Sequence, residues 1–151
     1  AEDGIRDVAV TGVQPCALPI SILNLRLAKL DTVSARRRAN ADRYRALLDA
    51  RHVYIPPLRV HGFDTFHTFV VQVDRRDALR AHLLSQGIET FVHYPVPIHL
   101  QAAAQGLGYR RGSFPIAEEQ AGRIFTLPIH QYLKPAQIEF VADAVNAFYR
   151  E

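Results

Sequence analysis

The sequence has 151 residues, of which 48% are hydrophobic and 22% charged, so it can form one globular domain with its own core. No apolar run reaches the roughly 18 residues that cross a membrane, and the acidic first residues do not resemble the basic start of a secretory signal. The net charge is only +3, and a single cysteine makes an internal disulfide impossible. We therefore expect a cytoplasmic protein with no membrane partner, and the lack of an initial methionine suggests a piece of a longer chain.

The first regular element is a long helix. Residues 10–21 read VTGVQPCALPIS and follow neither a helical nor a strand pattern. From Ile22 to about Ala50, apolar residues recur at steps of three and four, which predicts a helix. Ile22 and Leu25 lie off this stripe, so we expect that protein outside this chain covers the start of the helix. The stripe consists of Leu23, Leu27, Leu30, Val33, Arg37, Ala41, Tyr44 and Leu48.

Arg36, Arg37 and Arg38 lie in the middle of this helix and allow two interpretations. Consecutive arginines occur in patches that bind nucleic acid with an affinity sensitive to salt. They also occur on solvated helix faces. No aromatic or glycine-rich segment accompanies them, so we favour the solvated face and expect no nucleic-acid partner.

The first strand follows an extended segment, YIPPLRV, in which two adjacent prolines prevent a helix. The β-branched and aromatic residues from Phe66 to Val73 predict the strand, with Phe69, Val71 and Val73 on one face. His67 would share the face of Phe69, and we interpret it as a core histidine.

A helix with the sequence RRDALRAHLLSQ comes next, capped by Asp74 and ended by Gly87. IETFVHY then predicts a second strand, which leads into the stiff loop PVPIHLQ. The stretch AAAQGLGYRRG indicates a short helix or turn followed by a loop.

The last third of the chain predicts two helices and one strand. Ser113 and Pro115 begin a helix that runs to about Ile124. FTLPI is a short strand closed by Pro128, and Pro135 opens the last helix. The alternation of helices and strands predicts an α/β (α+β) fold, with a small sheet of about three strands, helices packed against it and a long helix in front. The strand directions remain open. The last helix carries an apolar stripe of Ile138, Val141, Val145 and Phe148.

The densest group of reactive side chains lies in the loop after the second predicted strand. His93, Tyr94 and His99 stand there with Pro95 and Pro97, which restrict the backbone. Two imidazoles and a phenol could bind an anionic or sugar-like ligand or relay protons, or they could bond to backbone in a packed turn. Two histidines without a third ligand of suitable spacing do not predict a zinc site, so we expect no metal.

Other common catalytic patterns are missing from the sequence. There is no glycine-rich phosphate loop and no G-x-S-x-G motif. Cys16 has no base beside it, and Lys29 and Lys134 are the only two lysines. Neither lysine has the surroundings of an activated amine.

Four blocks resemble consecutive segments of one protein family. They are ILNLRLAKLDTVSARRRANADRY, FHTFVVQVDRRDALRAHLLSQGIETFVHYPVPIHLQ, LGYRRGSFPIAEEQAGRIFTLPIH and LKPAQIEFVADAVNAFY. Their order, and above all H-Y-P-x-P-x-H-L-Q followed by L-G-Y and P-x-A-E, resembles the DegT/DnrJ/EryC1/StrS family of pyridoxal-phosphate-dependent sugar aminotransferases. The resemblance covers Ile22 to the end of the chain.

The resemblance implies a fold and a reaction. Residues 22–151 would be the C-terminal small domain of a fold-type-I aminotransferase, without the large domain that binds most of the pyridoxal phosphate. The Schiff-base lysine lies in that large domain, so no catalytic residue is expected in this chain. The parent enzyme would transfer an amino group, usually from glutamate, to a nucleotide-linked keto-sugar in polysaccharide or antibiotic sugar biosynthesis. Family members are typically homodimers.

The resemblance also implies roles for the loop. His93 and Tyr94 would line the pocket near the sugar, and His99 would bond to the substrate or orient the loop. Pro95 and Pro97 would pre-organise the loop.

Residues 1–21 do not resemble the family. Val10 to Ile20 instead resembles the translation of a sequencing adapter with one change at Pro15, so we expect residues 1–21 to be a non-native leader. A genuine proline-rich linker is the other reading.

The sequence leaves two functions open. The chain is a fragment of a sugar aminotransferase that is inactive alone, or it is a stand-alone α/β module for binding or dimerisation without catalysis.

Overall fold

The computed structural model describes residues 20–58 and 60–150. The chain divides into two units, one up to Ala35 and one from Arg36 onward. Residues 1–19 of the expected leader lie outside the described residues, so the leader stays a prediction. Within the described part of the chain, no helix has the length and hydropathy of a membrane span.

The described part of the first unit, residues 20–35, is helical but not continuous. Residues 20–27 are helical, residues 28–29 form a turn, and helix α1 (Leu30–Leu47) begins after it. The Lys29 N–H donates to the carbonyl of Arg26 at 3.0 Å, a bond one residue shorter than the α-helical one. The single helix predicted from Ile22 to about Ala50 is therefore wrong at this turn. Leucine, alanine and lysine all favour helices, so the sequence carries no signal for the break.

The second unit contains a three-stranded antiparallel sheet in the order β1-β2-β3. The strands are β1 (Val53–Tyr54), β2 (Phe69–Val73) and β3 (Ile124–Leu127). Val53 pairs with Val73, and Phe69 pairs with Leu127. The buried residues of β2 alternate along the strand, as its sequence predicts.

Strand β2 begins three residues later than predicted. Phe66 has a φ of 47°, a left-handed conformation that cannot continue an extended strand. His67 consequently lies ahead of the strand and is exposed, so its interpretation as a core histidine is wrong.

Only part of the second predicted strand is formed. In the segment IETFVHY, Phe91 alone makes a bridge with Thr126 of β3, through N–H···O bonds of 3.3 and 2.7 Å. The chain then leaves the sheet, and Pro95 has no backbone N–H with which to extend the pairing. This single bridge sets the start of the loop that carries the candidate site.

Helix α2 (Arg76–Ser85) ends as predicted but does not begin as predicted. Its N-cap is Arg75, with a φ of 55° and no side-chain hydrogen bond, so Asp74 is not the cap. The Asp74 carboxylate instead pairs with Arg123 at 3.2 Å. At the other end Gly87 has a φ of 77°, and its N–H and that of the next residue close the helix onto Leu84 and Leu83.

Helices α3 (Pro115–Arg123) and α4 (Pro135–Phe148) both start at the predicted proline. Helix α4 packs its apolar stripe into the core together with one face of the sheet and parts of α1 and α2. The larger members of this core are Tyr44, Leu48, Phe69, Val71, Leu79, Leu83, Phe125, Leu127, Ile138, Val145 and Phe148.

Two of the three consecutive arginines hold a loop instead of facing solvent. Arg37 donates to the carbonyls of Phe66 and His67 at 3.1 and 2.9 Å. Arg38 donates to the carbonyl of Asp64 at 3.3 Å and lies 4.6 Å from the ring of Phe63. Only Arg36 is exposed, so among the three arginines the solvated-face interpretation holds for Arg36 alone.

Candidate functional site

The candidate site centres on residues 93–99, which we call the His93–His99 loop. At its first residue, Nδ1 of His93 lies 2.9 Å from Oγ1 of buried Thr126 on β3. The Tyr94 ring stands edge-on to the His93 ring at 5.6 Å, and the peptide bond between the two residues is cis. Tyr94 itself is 72% exposed. The loop therefore starts with one anchored ring and one ring free to meet a ligand.

The middle of the loop has an extended backbone. Pro97 has φ −56° and ψ 148°, and the side chain of Gln101 donates to the carbonyl of Val96 at 3.3 Å. Two short 3₁₀ helices follow, Ile98–Leu100 and Ala102–Leu107. The first of them contains His99, the last residue of the loop.

At the end of the loop His99 is buried and pairs with Glu118 of α3. Its Nε2 lies 2.9 Å from Oε1 of Glu118, and both side chains are largely shielded from water. Glu118 also accepts backbone N–H bonds from Gly112, at 2.8 and 3.0 Å, and from Phe114, at 3.4 Å. The bond to His99, followed by the backbone donors, lowers the pKa of Glu118 below its ordinary value of 4.5 against the opposing effect of desolvation.

Glu118 was not among the residues that sequence reasoning selected. It belongs to the P-x-A-E block quoted above, where it stands as one acidic residue beside Glu119. The P-x-A-E spacing marks Glu118, but only the folded chain shows that Glu118 is the residue that faces His99. Glu119 instead bonds to Arg123 within the same helix.

An open cleft of about 540 Å³ lies beside the loop. Tyr94, Tyr109 and Phe114 give it aromatic walls, and the His99 ring packs edge-on against Phe114 at 4.8 Å. The Phe114 ring in turn meets Tyr109 at 5.1 Å. The cleft is thus mostly apolar with a few polar groups, a composition that suits a small organic ligand. The remaining lining residues are Val96, Pro97, Ile98, Gln101, Ala104, Leu107, Ala117, Gln120, Ala121 and Ile124.

The structure places some of the predicted site residues at the cleft and others away from it. Tyr94, Pro97 and His99 line the cleft, whereas His93 bonds to β3 and is not among its lining residues. Within residues 20–58 and 60–150, no group of three or more histidine, cysteine or acidic side chains is arranged to hold a metal ion.

The chain is similar to known proteins of one family. A model of the DegT/DnrJ/EryC1/StrS aminotransferase family matches residues 17–146. The chain is similar to the dTDP-3-amino-3,4,6-trideoxy-alpha-D-glucose transaminase of Streptomyces venezuelae, with 40% identity over 83% of this chain and 34% of that protein. It is also similar to the pleiotropic regulatory protein of Geobacillus stearothermophilus, with 36% identity over 86% of this chain and 36% of that protein.

A solved structure has the same fold. The S. venezuelae protein DesV, in complex with a ketimine intermediate, superimposes with a TM-score of 0.81 and 38% identity over 86% of this chain and 35% of that chain. The chain thus spans about a third of the length of the curated relatives it matches. The family model matches residues 17–146, a range that includes the His93–His99 loop, and the chain belongs to the DegT/DnrJ/EryC1/StrS aminotransferase family.

Proposed function

We propose that residues 22–151 are the C-terminal small domain of a pyridoxal-phosphate-dependent aminotransferase that acts on a nucleotide-linked keto-sugar. The observation that carries this is the 40% identity to a nucleotide-sugar transaminase of which this chain matches only 34%. Other relatives named as transaminases also act on dTDP- or UDP-linked sugars. Glutamate is the proposed amino donor, and the setting is cytoplasmic biosynthesis of polysaccharide or antibiotic sugars.

The described residues do not offer a covalent anchor for pyridoxal phosphate. Attachment of this cofactor needs a lysine in the active site. No lysine is among the described residues that line the cleft, and Lys134 is the N-cap of α4. The anchoring lysine and most of the cofactor contacts would belong to the missing large domain, so this chain supplies substrate contacts and is inactive alone.

The loop suits contact with a sugar. Tyr94 projects its phenol beside an open cleft, and the bond between His93 and Thr126 fixes the residue before it. Pro95 and Pro97 limit the conformations between the two histidines, which lowers the entropy lost on binding. His99 is already engaged with Glu118, so of its two expected roles we favour orientation of the loop.

Two further features belong to the same proposal. The full-length enzyme would be a homodimer, as is typical of the family. Residues 1–21 would be a non-native leader that replaces the end of the large domain. The exposed apolar side chains of Ile22, Leu23 and Leu25 support this, because the large domain would cover them.

The decisive experiment is long-read sequencing of the source DNA upstream of the Ile22 codon, followed by an assay of the full-length product. We expect an open reading frame with a lysine-bearing large domain, and formation of 2-oxoglutarate from glutamate when a dTDP- or UDP-linked keto-sugar is supplied. Genomic codons for Val10 to Ser21 would overturn the leader and favour the stand-alone module. A full-length protein that transfers no amino group to any such sugar would overturn the substrate class.

A further inference from the structure

We infer that Glu118 is a positioning residue that holds the His93–His99 loop beside the cleft through its hydrogen bond to His99. The structural part of this role stands without the proposed function. Its kinetic consequence rests on that function, because the loop meets the keto-sugar only if the parent is the proposed aminotransferase.

The loop is fixed by side-chain hydrogen bonds at both of its ends. Nδ1 of His93 bonds to Thr126 of β3, and Nε2 of His99 bonds to Glu118 of α3, each at 2.9 Å. Between these anchors, the bond from Gln101 to Val96 is the one side-chain hydrogen bond that the described residues show, and it is longer, at 3.3 Å. The position of Tyr94 therefore depends on the two anchored histidines.

The Glu118 carboxylate is itself held rigidly. Both of its oxygens accept from the Gly112 N–H, and Oε1 also accepts from the Phe114 N–H. Gly112 has a φ of 89°, which presents its N–H to the carboxylate in a conformation that favours glycine. One carboxylate thus joins α3, the 112–114 turn and the end of the loop. The same bonds lower its pKa, so it stays charged at neutral pH.

Loss of this carboxylate would act on the loop because His99 is buried. Its ring lies against Phe114, and without Glu118 a polar nitrogen would remain in an apolar site with no partner. Rotation of the ring or displacement of the 3₁₀ helix Ile98–Leu100 would then restore contact with water. Either change releases one end of the loop. The adjacent Glu119 is exposed and bonds only within its helix to Arg123, which makes it a matched control.

Hydrogen exchange measured by mass spectrometry on the 151-residue chain tests the positioning. The Leu100 and Gln101 amides bond to Pro97 and Ile98 at 2.9 and 3.2 Å, so they report on the end of the loop. We expect Glu118→Ala to accelerate exchange at these two amides about tenfold, the factor that loss of one charged hydrogen bond implies. Glu119→Ala should leave them unchanged. Acceleration confined to Gly112 and Phe114, or equal acceleration in Glu119→Ala, would overturn the role.

A second variant covers the case in which Glu118→Ala unfolds the chain and accelerates exchange throughout β2. Glu118→Gln keeps the side-chain shape and one acceptor oxygen but cannot accept from Gly112 with its nitrogen. It should give a smaller acceleration at the same Leu100 and Gln101 amides. Unchanged exchange there in this variant would contradict the role.

Kinetics of the full-length enzyme separate this role from the proposed function. Glu118→Ala should raise the KM for the keto-sugar about tenfold while kcat changes less, because a displaced contact loop weakens binding. A merely structural residue would lower the amount of active enzyme and leave KM unchanged. If the wild type transfers amino groups and KM does not move, the role in substrate binding is wrong. If exchange responds but the wild type transfers nothing, the proposed function fails and the positioning remains.

Discussion

Tyr44 is fully buried in the core and stacks on Phe69 with ring centroids 5.2 Å apart. Its hydroxyl has no hydrogen-bond partner among the described residues, and burial raises its pKa far above the usual range. A periodicity argument places this tyrosine in the core but does not say whether its hydroxyl is satisfied.

We expect Tyr44→Phe to stabilise the fold by about 1 kcal/mol, because it removes a buried polar atom without a partner and keeps the ring. Urea unfolding of the wild type and the variant measures this difference. Tyr132→Phe, at an exposed position, should change nothing. A clear loss of stability in Tyr44→Phe would show that the hydroxyl has a partner, such as a buried water.

The second prediction at the scale of one residue concerns Glu118. Its pKa in the folded chain lies below its ordinary value of 4.5, so the unfolded chain takes up the proton first as the pH falls. The charged Glu118 therefore stabilises the fold in full above its ordinary pKa of 4.5, and this stabilisation is lost as the pH drops through the pKa of the folded chain. Glu118→Gln should therefore flatten the acid limb of the stability curve.

Urea midpoints between about pH 7 and about pH 3 measure this effect. The difference between wild type and Glu118→Gln should shrink toward acid pH. Glu119→Gln, with its exposed carboxylate, should follow the wild type. A constant difference across this range would contradict the lowered pKa.

At the scale of elements, the two ends of α2 differ. A local sequence signal predicts where the helix ends, but no local signal predicts where it begins. Gly87 closes α2 because its φ of 77° favours glycine, and the sequence shows this directly. Asp74 would be a good cap on local grounds, yet its carboxylate pairs with Arg123 near the end of α3. The helix instead begins after Arg75 in a left-handed conformation, which no local spacing rule contains.

Gly87→Ala should cost roughly 1 kcal/mol, because a Cβ disfavours the left-handed conformation. No atom lies within 4 Å of the added Cβ, so the cost is one of backbone conformation and not of collision. Gly122→Ala in the last turn of α3 meets equally open space at a helical position and should be neutral or stabilising. Equal effects in thermal unfolding would contradict this account.

Arg37 connects α1 to the segment that precedes β2. Its guanidinium donates to two loop carbonyls and, at 3.3 Å, to the side chain of Gln131. Arg37→Ala should destabilise the fold by about 2 kcal/mol, because charged hydrogen bonds to two loop carbonyls, one of them partly buried, are lost. The exposed Arg36→Ala should have little effect. Urea unfolding compares the two, and a negligible loss of stability in both variants would restore the solvated-face interpretation for Arg37.

At the scale of the whole molecule, the chain is about a third of its relatives, and its first unit carries an exposed apolar surface. Leu23, Leu25 and Leu27 are 60%, 73% and 64% exposed. Exposed leucines on more than one side of a helix promote association with other apolar surfaces. The same side chains would be covered in the full-length enzyme that we propose.

We expect the 151-residue chain to bind a hydrophobic dye and to self-associate as its concentration rises. The double change Leu23→Lys and Leu25→Lys should reduce both, because it interrupts the apolar surface. Leu84→Lys, at an exposed leucine of α2, is the control and should have a smaller effect. Sedimentation measures the association, and an equal reduction by the control would show that another surface is responsible.

Most of the fold was readable from the sequence, because helix α4, the buried face of β2 and the end of α2 depend on periodicity and on proline or glycine at the termini. The short strand β1 and the single bridge at Phe91 were not readable. Both depend on which strand is available as a neighbour, and antiparallel pairing brings together residues far apart in the chain.

The candidate site also has one part that the sequence predicts and another that it does not. The sequence by itself determined that a stiff loop with two histidines and a tyrosine follows residue 92, and its order of motifs determined the family. Only the tertiary structure decided that His93 bonds to Thr126, that His99 is buried against Glu118, and that an aromatic cleft opens beside Tyr94. The physical reason is distance along the chain. A motif records which side chains are adjacent in sequence, whereas the partners of His93 and His99 lie 33 and 19 residues away and meet them only when β3 and α3 pack.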